Sequence, residues 1–202
     1  MDTDLATGTR FKCSNESCVI IVTNNTRKTN TFLMSKSQSD NLSLRGIFTK
    51  SSFSGKIALI LSTWFGTGLL PIAPGTFGTV AAVPFAFGLT CLPIGYAVFF
   101  IWIVVAAAVW TSGQTHKLLG NDDPSVVVID EVAGYLLTMF LLPPSCLNFG
   151  LGFLLFRTFD ILKPYPIKKV EKLRGGVGIV MDDLVAGFYA HLGVRLFLFF
   201  IK

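Results

Sequence analysis

The stretch Val126-Val-Val-Ile-Asp130-Glu131-Val-Ala-Gly134-Tyr-Leu-Leu137 decides the fold, because two adjacent acids stand inside an otherwise apolar run. The pattern recurs downstream, with Arg157 and Asp160 inside Leu154-Leu-Phe-Arg-Thr-Phe-Asp-Ile-Leu162, and Asp182 and Asp183 heading an apolar segment that reaches Ile201. A lone ionised side chain in such a segment costs about 2.5–3.5 kcal/mol on membrane-insertion scales, so these groups must face each other, a cation or water. Five carboxylates and Arg157, spread over three segments, point to one shared polar site. Arg157, Asp160 and Lys163 recur every three residues and share a helical stripe. Asp130 and Gly134 are four residues apart, as are Asp183 and Gly187. Each glycine then lies one turn from its acid on the same face, where it lets a helix or a ligand come close. Acids outnumber bases in these segments, and the excess calls for a cation. Oxygen donors with no His or Cys beside them suit Mg2+ better than zinc.

Working outward, residues 57–202 read as apolar helices joined by short connections. Ile57–Phe65 begins a helix that stops at Gly66 and Gly68, and a second runs from Phe77 to Thr90. Ile94–Ser112 is 19 residues without a charge, long enough to span a bilayer, and Gln114–Pro124 reads as a polar loop. Val126–Leu142 and Cys146–Leu162 follow, separated by Pro143-Pro144, and the last segment covers Asp182–Ile201. The expectation is an all-α bundle of about five or six helices embedded in a membrane, occupying residues 51–202. Whole-chain composition agrees: 51% of the 202 residues are hydrophobic and 14% charged, with a mean hydropathy of +0.62, against roughly 25% charged in a soluble domain.

Residues 1–50 differ. They are rich in Ser, Thr, Asn and Lys, with one short apolar run, Cys18–Val22. That composition buries little apolar area, so a disordered extension is expected, and its basic, Ser-rich character fits a targeting segment apart from the early acids Asp2 and Asp4. The net charge of +5 is concentrated in this extension and in Lys163, Lys168, Lys169, Lys172 and Arg174. No nucleic-acid recognition motif accompanies these bases. Beside apolar segments they read as juxtamembrane charge that attracts anionic lipids. The four cysteines have no C-x-x-C spacing and are expected as buried free thiols.

Gly66-Thr-Gly68-Leu-Leu-Pro71-Ile-Ala-Pro74-Gly75-Thr76 fails as a nucleotide loop, lacking G-x-x-x-x-G-K-[ST]. As an anion site it has Gly75 and Thr76 at a helix start, where free N–H groups favour phosphate; a tight inter-helix turn is the equal alternative. Gly175-Gly176-Val-Gly178 offers close backbone approach just before Asp182. His116 is expected in the polar loop, and His191 reads as structural. A D-G-x-x-A-R signature of CDP-lipid phosphotransferases is missing, because Asp183 is followed by Leu-Val-Ala-Gly.

Four blocks carry a resemblance: Phe65–Thr79 (FGTGLLPIAPGTFGT), Asp123–Gly134 (DPSVVVIDEVAG), Phe156–Ile167 (FRTFDILKPYPI) and Gly175–Gly187 (GGVGIVMDDLVAG). In this order they resemble the phosphatidylglycerophosphatase A family over about Ile57–Phe199. The resemblance implies an all-α fold and Mg2+-dependent hydrolysis of phosphatidylglycerophosphate to phosphatidylglycerol and phosphate. It also implies a bacterial inner-membrane location, or the inner membrane of an organelle of bacterial origin given the extension. On this reading Asp130, Glu131, Asp160, Asp182 and Asp183 supply metal ligands, with Asp130, Glu131, Asp160 and Asp183 catalytic. Gly75, Thr76, Arg157 and Lys163 bind the phosphate. Oligomeric state is left open.

Overall fold

The structure is a computed structural model that describes residues 46–119, 126–170 and 175–201 in full and, before residue 46, backbone alone along four strands. These are β1 (Thr3–Asp4), β2 (Thr9–Ser14), β3 (Ser17–Thr23) and β4 (Thr29–Ser35), paired antiparallel in chain order. The expected disorder of the extension is met by strand backbone at these residues. The β-branched run Val19–Val22 favours extended pairing; it faces Thr9–Lys12 on one side and Asn30–Leu33 on the other. The other positions before residue 46, and any targeting role, lie outside the described residues.

The helical unit is all-α, as expected. Its elements are α1 (Phe53–Ser62), a 3₁₀ turn at Thr67–Leu69, α2 (Pro74–Thr90), α3 (Ile94–Leu119), α4 (Ile129–Met139), α5 (Cys146–Leu162), the short α6 (Ile167–Val170) and α7 (Gly176–Ile201). Six of these helices have ten residues or more. α3 runs seven residues past the expected end at Ser112, so His116 lies on a helix and not in a loop. Thr115 anchors that added stretch by donating to Ser62 Oγ (2.9 Å) inside the core. α7 begins six residues before Asp182, earlier than the expected start, which places both acids within the helix.

α4 is the hub, packed by α2, α3, α5 and α7. Its faces carry four of the five largest fully buried side chains among the described residues, Tyr135, Ile129, Leu136 and Met139, and Phe156 of α5 is the fifth. Buried Tyr135 still satisfies its hydroxyl, which donates to Phe149 O (3.0 Å). Glycines set the closest approaches. Gly187 of α7 lies on the backbone of Gly134 of α4, and Gly176 of α7 lies on Val109 and Gly113 of α3, each leaving no room for a Cβ. Within the Gly175–Gly178 run, Gly176 therefore serves helix packing, while Gly175 makes the turn into α7 at a φ of 72°. α3 and α7 have 26 residues each, about 39 Å at 1.5 Å per residue. Both are apolar enough to cross a membrane core of about 30 Å. The other described helices are shorter, and α4, with 11 residues, reaches about half that depth. Phe99 and Trp102 of α3, and Leu196 and Phe199 of α7, are exposed on the outer surface. Cys91 and Cys146 are exposed free thiols, against the expectation of burial, because both fall at helix ends.

Candidate active site

The site forms at one end of the bundle, where α2 and α4 begin, α5 ends and α7 makes its second turn. Hydrophobic anchoring fixes the start of α4. Val126 and Val128 are fully buried, Val128 N–H donates to Ser62 O (2.9 Å), and Gly68 and Gly78 pack against Val126 and Val128. Asp130 and Glu131 are thereby held in the first turn, where free N–H groups favour negative charge. Asp130 is buried and its Oδ1 accepts from Glu131 N–H (2.9 Å).

Glu131 turns toward α2 and α5. Its Oε2 lies 2.8 Å from Arg157 Nη1 and 3.0 Å from Thr79 Oγ1. The same Nη1 lies 2.8 Å from Asp160 Oδ2, so one guanidinium nitrogen joins two carboxylates on different helices. Gly75 packs directly on the Glu131 carboxylate, and a Cβ there would displace it. At the end of α5, Lys163 takes a left-handed conformation (φ 43°) as the C-cap, and its Nζ reaches Asp182 Oδ2 at 2.8 Å. Asp182 and Asp183 are buried, and the Asp183 carboxyl lies within electrostatic reach of Asp130, Asp160, Asp182 and Glu131. Burial pushes the Glu131 carboxyl up to about 7; Arg157 opposes the rise and Asp160 adds to it.

The structure thus brings together Asp130, Glu131, Asp160, Asp182, Asp183, Arg157 and Lys163, with Gly75 against them. The expected stripe is split: Arg157 and Asp160 pair on α5, whereas the left-handed cap sends Lys163 across to α7. Thr76 makes no side-chain hydrogen bond among the described residues. The hydroxyl that reaches the site is Thr79, three residues on, which sequence reading did not single out. Its signal was the four-residue step from Gly75, which puts both on the face of α2 that meets Glu131. His191 stands apart: its Nδ1 lies 3.0 Å from Thr138 O, and Arg195 Nε donates to its Nε2 (2.8 Å), at the opposite end of α4.

The chain matches the family model described as phosphatidylglycerophosphatase A over residues 60–198. It belongs to the phosphatidylglycerophosphatase A family. A phosphatidylglycerophosphatase A of Escherichia coli strain K12 is 38% identical over 130 residues, covering 63% of this chain and 76% of the relative. The Haemophilus influenzae protein of the same name is 36% identical, covering 67% of this chain and 85% of the relative. A Bacteroides thetaiotaomicron protein, provisionally named a phosphatidylinositol-3-phosphatase, is 34% identical, covering 67% and 90%. No solved structure matches the chain significantly. As a member of the phosphatidylglycerophosphatase A family the chain is a phosphatase, and the matched region contains every side chain of the site.

The donor chemistry is that of a hard cation: five carboxyls gather around two cationic side chains, with no imidazole or thiol among them. Among the described residues, no three acidic, histidine or cysteine side chains are grouped closely enough to hold an ion by themselves, and Mg2+ commonly takes one or two carboxylates with water and substrate oxygens. Arg157 and Lys163 occupy Glu131, Asp160 and Asp182 instead.

Proposed function

We propose that this protein hydrolyses phosphatidylglycerophosphate to phosphatidylglycerol and inorganic phosphate at a membrane surface, with Mg2+ as cofactor. The observation that carries the reading is Arg157 Nη1 held 2.8 Å from both Glu131 and Asp160, beside the buried Asp182 and Asp183. Such an array suits a phosphate monoester, because a guanidinium retains further N–H donors for phosphate oxygens while the carboxyls supply metal ligands and a base. The names of the Escherichia coli and Haemophilus influenzae relatives support the substrate.

Asp130, Glu131, Asp160, Asp182 and Asp183 are the residues that would hold the ion. Bound there, Mg2+ would neutralise charge on the phosphate oxygens and acidify a water. Arg157 and Lys163 bind the nonbridging oxygens, Arg157 as a fork and Lys163 as a point charge. Gly75, without a side chain, lets the Glu131 carboxylate lie against the start of α2, where free backbone N–H groups add donors for the phosphate. A water oxygen attacks phosphorus in line, one of Asp130, Glu131, Asp160 or Asp183 takes its proton, and the glycerol oxygen leaves with the electron pair of the broken P–O bond and takes a proton from solvent water.

Membrane placement is supported by the two helices long and apolar enough to span and by the distribution of charge. The connections at the end away from the site, residues 91–93 and 140–145, carry no charge, and Arg195 is the base that meets them there, whereas Lys163, Lys168 and Lys169 together lie at the site end. Lys and Arg favour the cytoplasmic side or its organellar equivalent, so the site faces that compartment and its rim attracts anionic lipids. The test is phosphate release from phosphatidylglycerophosphate and from phosphatidylinositol 3-phosphate by detergent-purified protein, with and without Mg2+, beside Asp160→Asn. Mg2+-dependent release from the first lipid that disappears in the variant is expected. Release from neither, by folded protein, would sink the reading; preference for the inositol lipid would transfer the site to that substrate.

A further inference from the structure

We propose that the cleft between α2 and α5 is a lateral groove that takes an acyl chain of the lipid whose phosphate meets Arg157. The inference rests on the phosphatase reading and adds where the apolar part of the substrate lies. Thr76, Val80, Val83 and Phe87 recur at steps of four, three and four residues, forming one stripe on α2. Phe149, Phe153 and Arg157 recur every four residues on α5 and form the opposing stripe. The stripes meet at the end away from the carboxylates, where the rings of Phe87 and Phe149 lie 6.2 Å apart. Toward the site no hydrogen bond or ion pair joins α2 to α5 directly among the described residues. Glu131 of α4 stands between them and takes Thr79 from one helix and Arg157 from the other.

Val80 is 50% exposed although its stripe is turned toward α5. A side chain built at Gly150, beside Phe149, would meet nothing within 4 Å. Val83, Phe149 and Phe153 are partly buried against the core and form the inner wall of the groove, Val80 and Gly150 lie on its open outer side, and Arg157 heads it. From Thr76 to Phe87 it runs about 16 Å, at 1.5 Å per residue. That is about half the hydrocarbon thickness of a bilayer, the depth of one leaflet and of one acyl chain. A phosphate at Arg157 and a chain laid toward Phe87 fit this polarity in one direction only, with the headgroup at the site end.

The experiment uses the full chain in detergent with phosphatidylglycerophosphate carrying dihexanoyl or dipalmitoyl tails, and reads the ratio of kcat/KM for long over short. Val80→Trp fills the groove and lowers that ratio about tenfold, equivalent to losing roughly two buried methylenes. Val98→Trp, on the outer face of α3, keeps the wild-type ratio. If Val80→Trp fails to fold, Val83→Phe narrows the same cleft and takes its place. An unchanged ratio in folded Val80→Trp, or an equal fall in Val98→Trp, would overturn the groove. So would a change of oligomeric state in Val80→Trp by light scattering, which would assign the cleft to a second copy of the chain. Wild-type protein that releases phosphate from neither tail length fails earlier, and that failure belongs to the phosphatase reading.

Discussion

Arg157 is a single side chain tying α4 to α5 through Glu131 and Asp160, and its replacement separates charge from geometry. Lysine keeps the charge but has no planar fork to serve Glu131 and Asp160 together. Arg157→Lys should lower kcat about 10- to 100-fold in phosphate release, in line with ~1.5–3 kcal/mol for a charged hydrogen bond, while the circular dichroism of the helices stays unchanged. Gly75→Ala tests the opposite side of Glu131. Its Cβ would enter the carboxylate, the end of a flexible side chain, so the fold tolerates the change while the site does not. Activity should fall at least about tenfold with a melting temperature near wild type; a fully active Gly75→Ala would remove Glu131 from the machinery. Glu131 also predicts a pH effect. Its folded pKa is raised from 4.5 to about 7, chiefly by burial, so its contribution to stability is present below pH 4.5 and is lost as pH rises through about 7. Cation-free protein in detergent should melt higher at pH 5.5 than at pH 8, and Glu131→Gln should shrink that difference.

At the scale of elements, the glycine pair Gly134 and Gly187 sets how closely α4 approaches α7, and hence how near Asp183 lies to Asp130. A Cβ on Gly187 would meet the carbonyl and Cα of Gly134, which are backbone and move only with their helix. Gly187→Ala should destabilise by about 2–3 kcal/mol through overpacking, read as a melting temperature several degrees lower in detergent. Gly88→Ala, where the space is open, should be neutral or slightly stabilising. The spacing of acid and glycine in sequence already placed these glycines on the carboxylate face. Helix boundaries were less legible. α3 and α7 extend past the polar residues that suggested ends, because Thr115 is satisfied inside the core by Ser62 and Asp182 by Lys163. Propensity and polarity see a hydroxyl or an acid, whereas the partner that makes it tolerable comes from a distant helix.

For the whole molecule, the array of carboxyls predicts that chelation abolishes phosphate release and that Mg2+ restores it, with a rise in melting temperature on adding the ion that disappears in Asp183→Asn. Activity surviving in excess chelator would exclude a divalent cation from the chemistry. Charges stranded in apolar segments made the class of fold and the membership of the site legible from sequence alone: their cost in an apolar setting leaves few arrangements other than a helical bundle that gathers them. The four motif blocks made the family legible. Pairing within the site was not. That Lys163 leaves its own stripe for Asp182 depends on a left-handed cap at the end of α5, and that Thr79 and not Thr76 reaches Glu131 depends on how α2 is rotated against α4. Both are decided by packing of buried glycines and valines around the hub helix. One-dimensional spacing fixes which residues share a face, and only the tertiary contacts fix which way that face is turned.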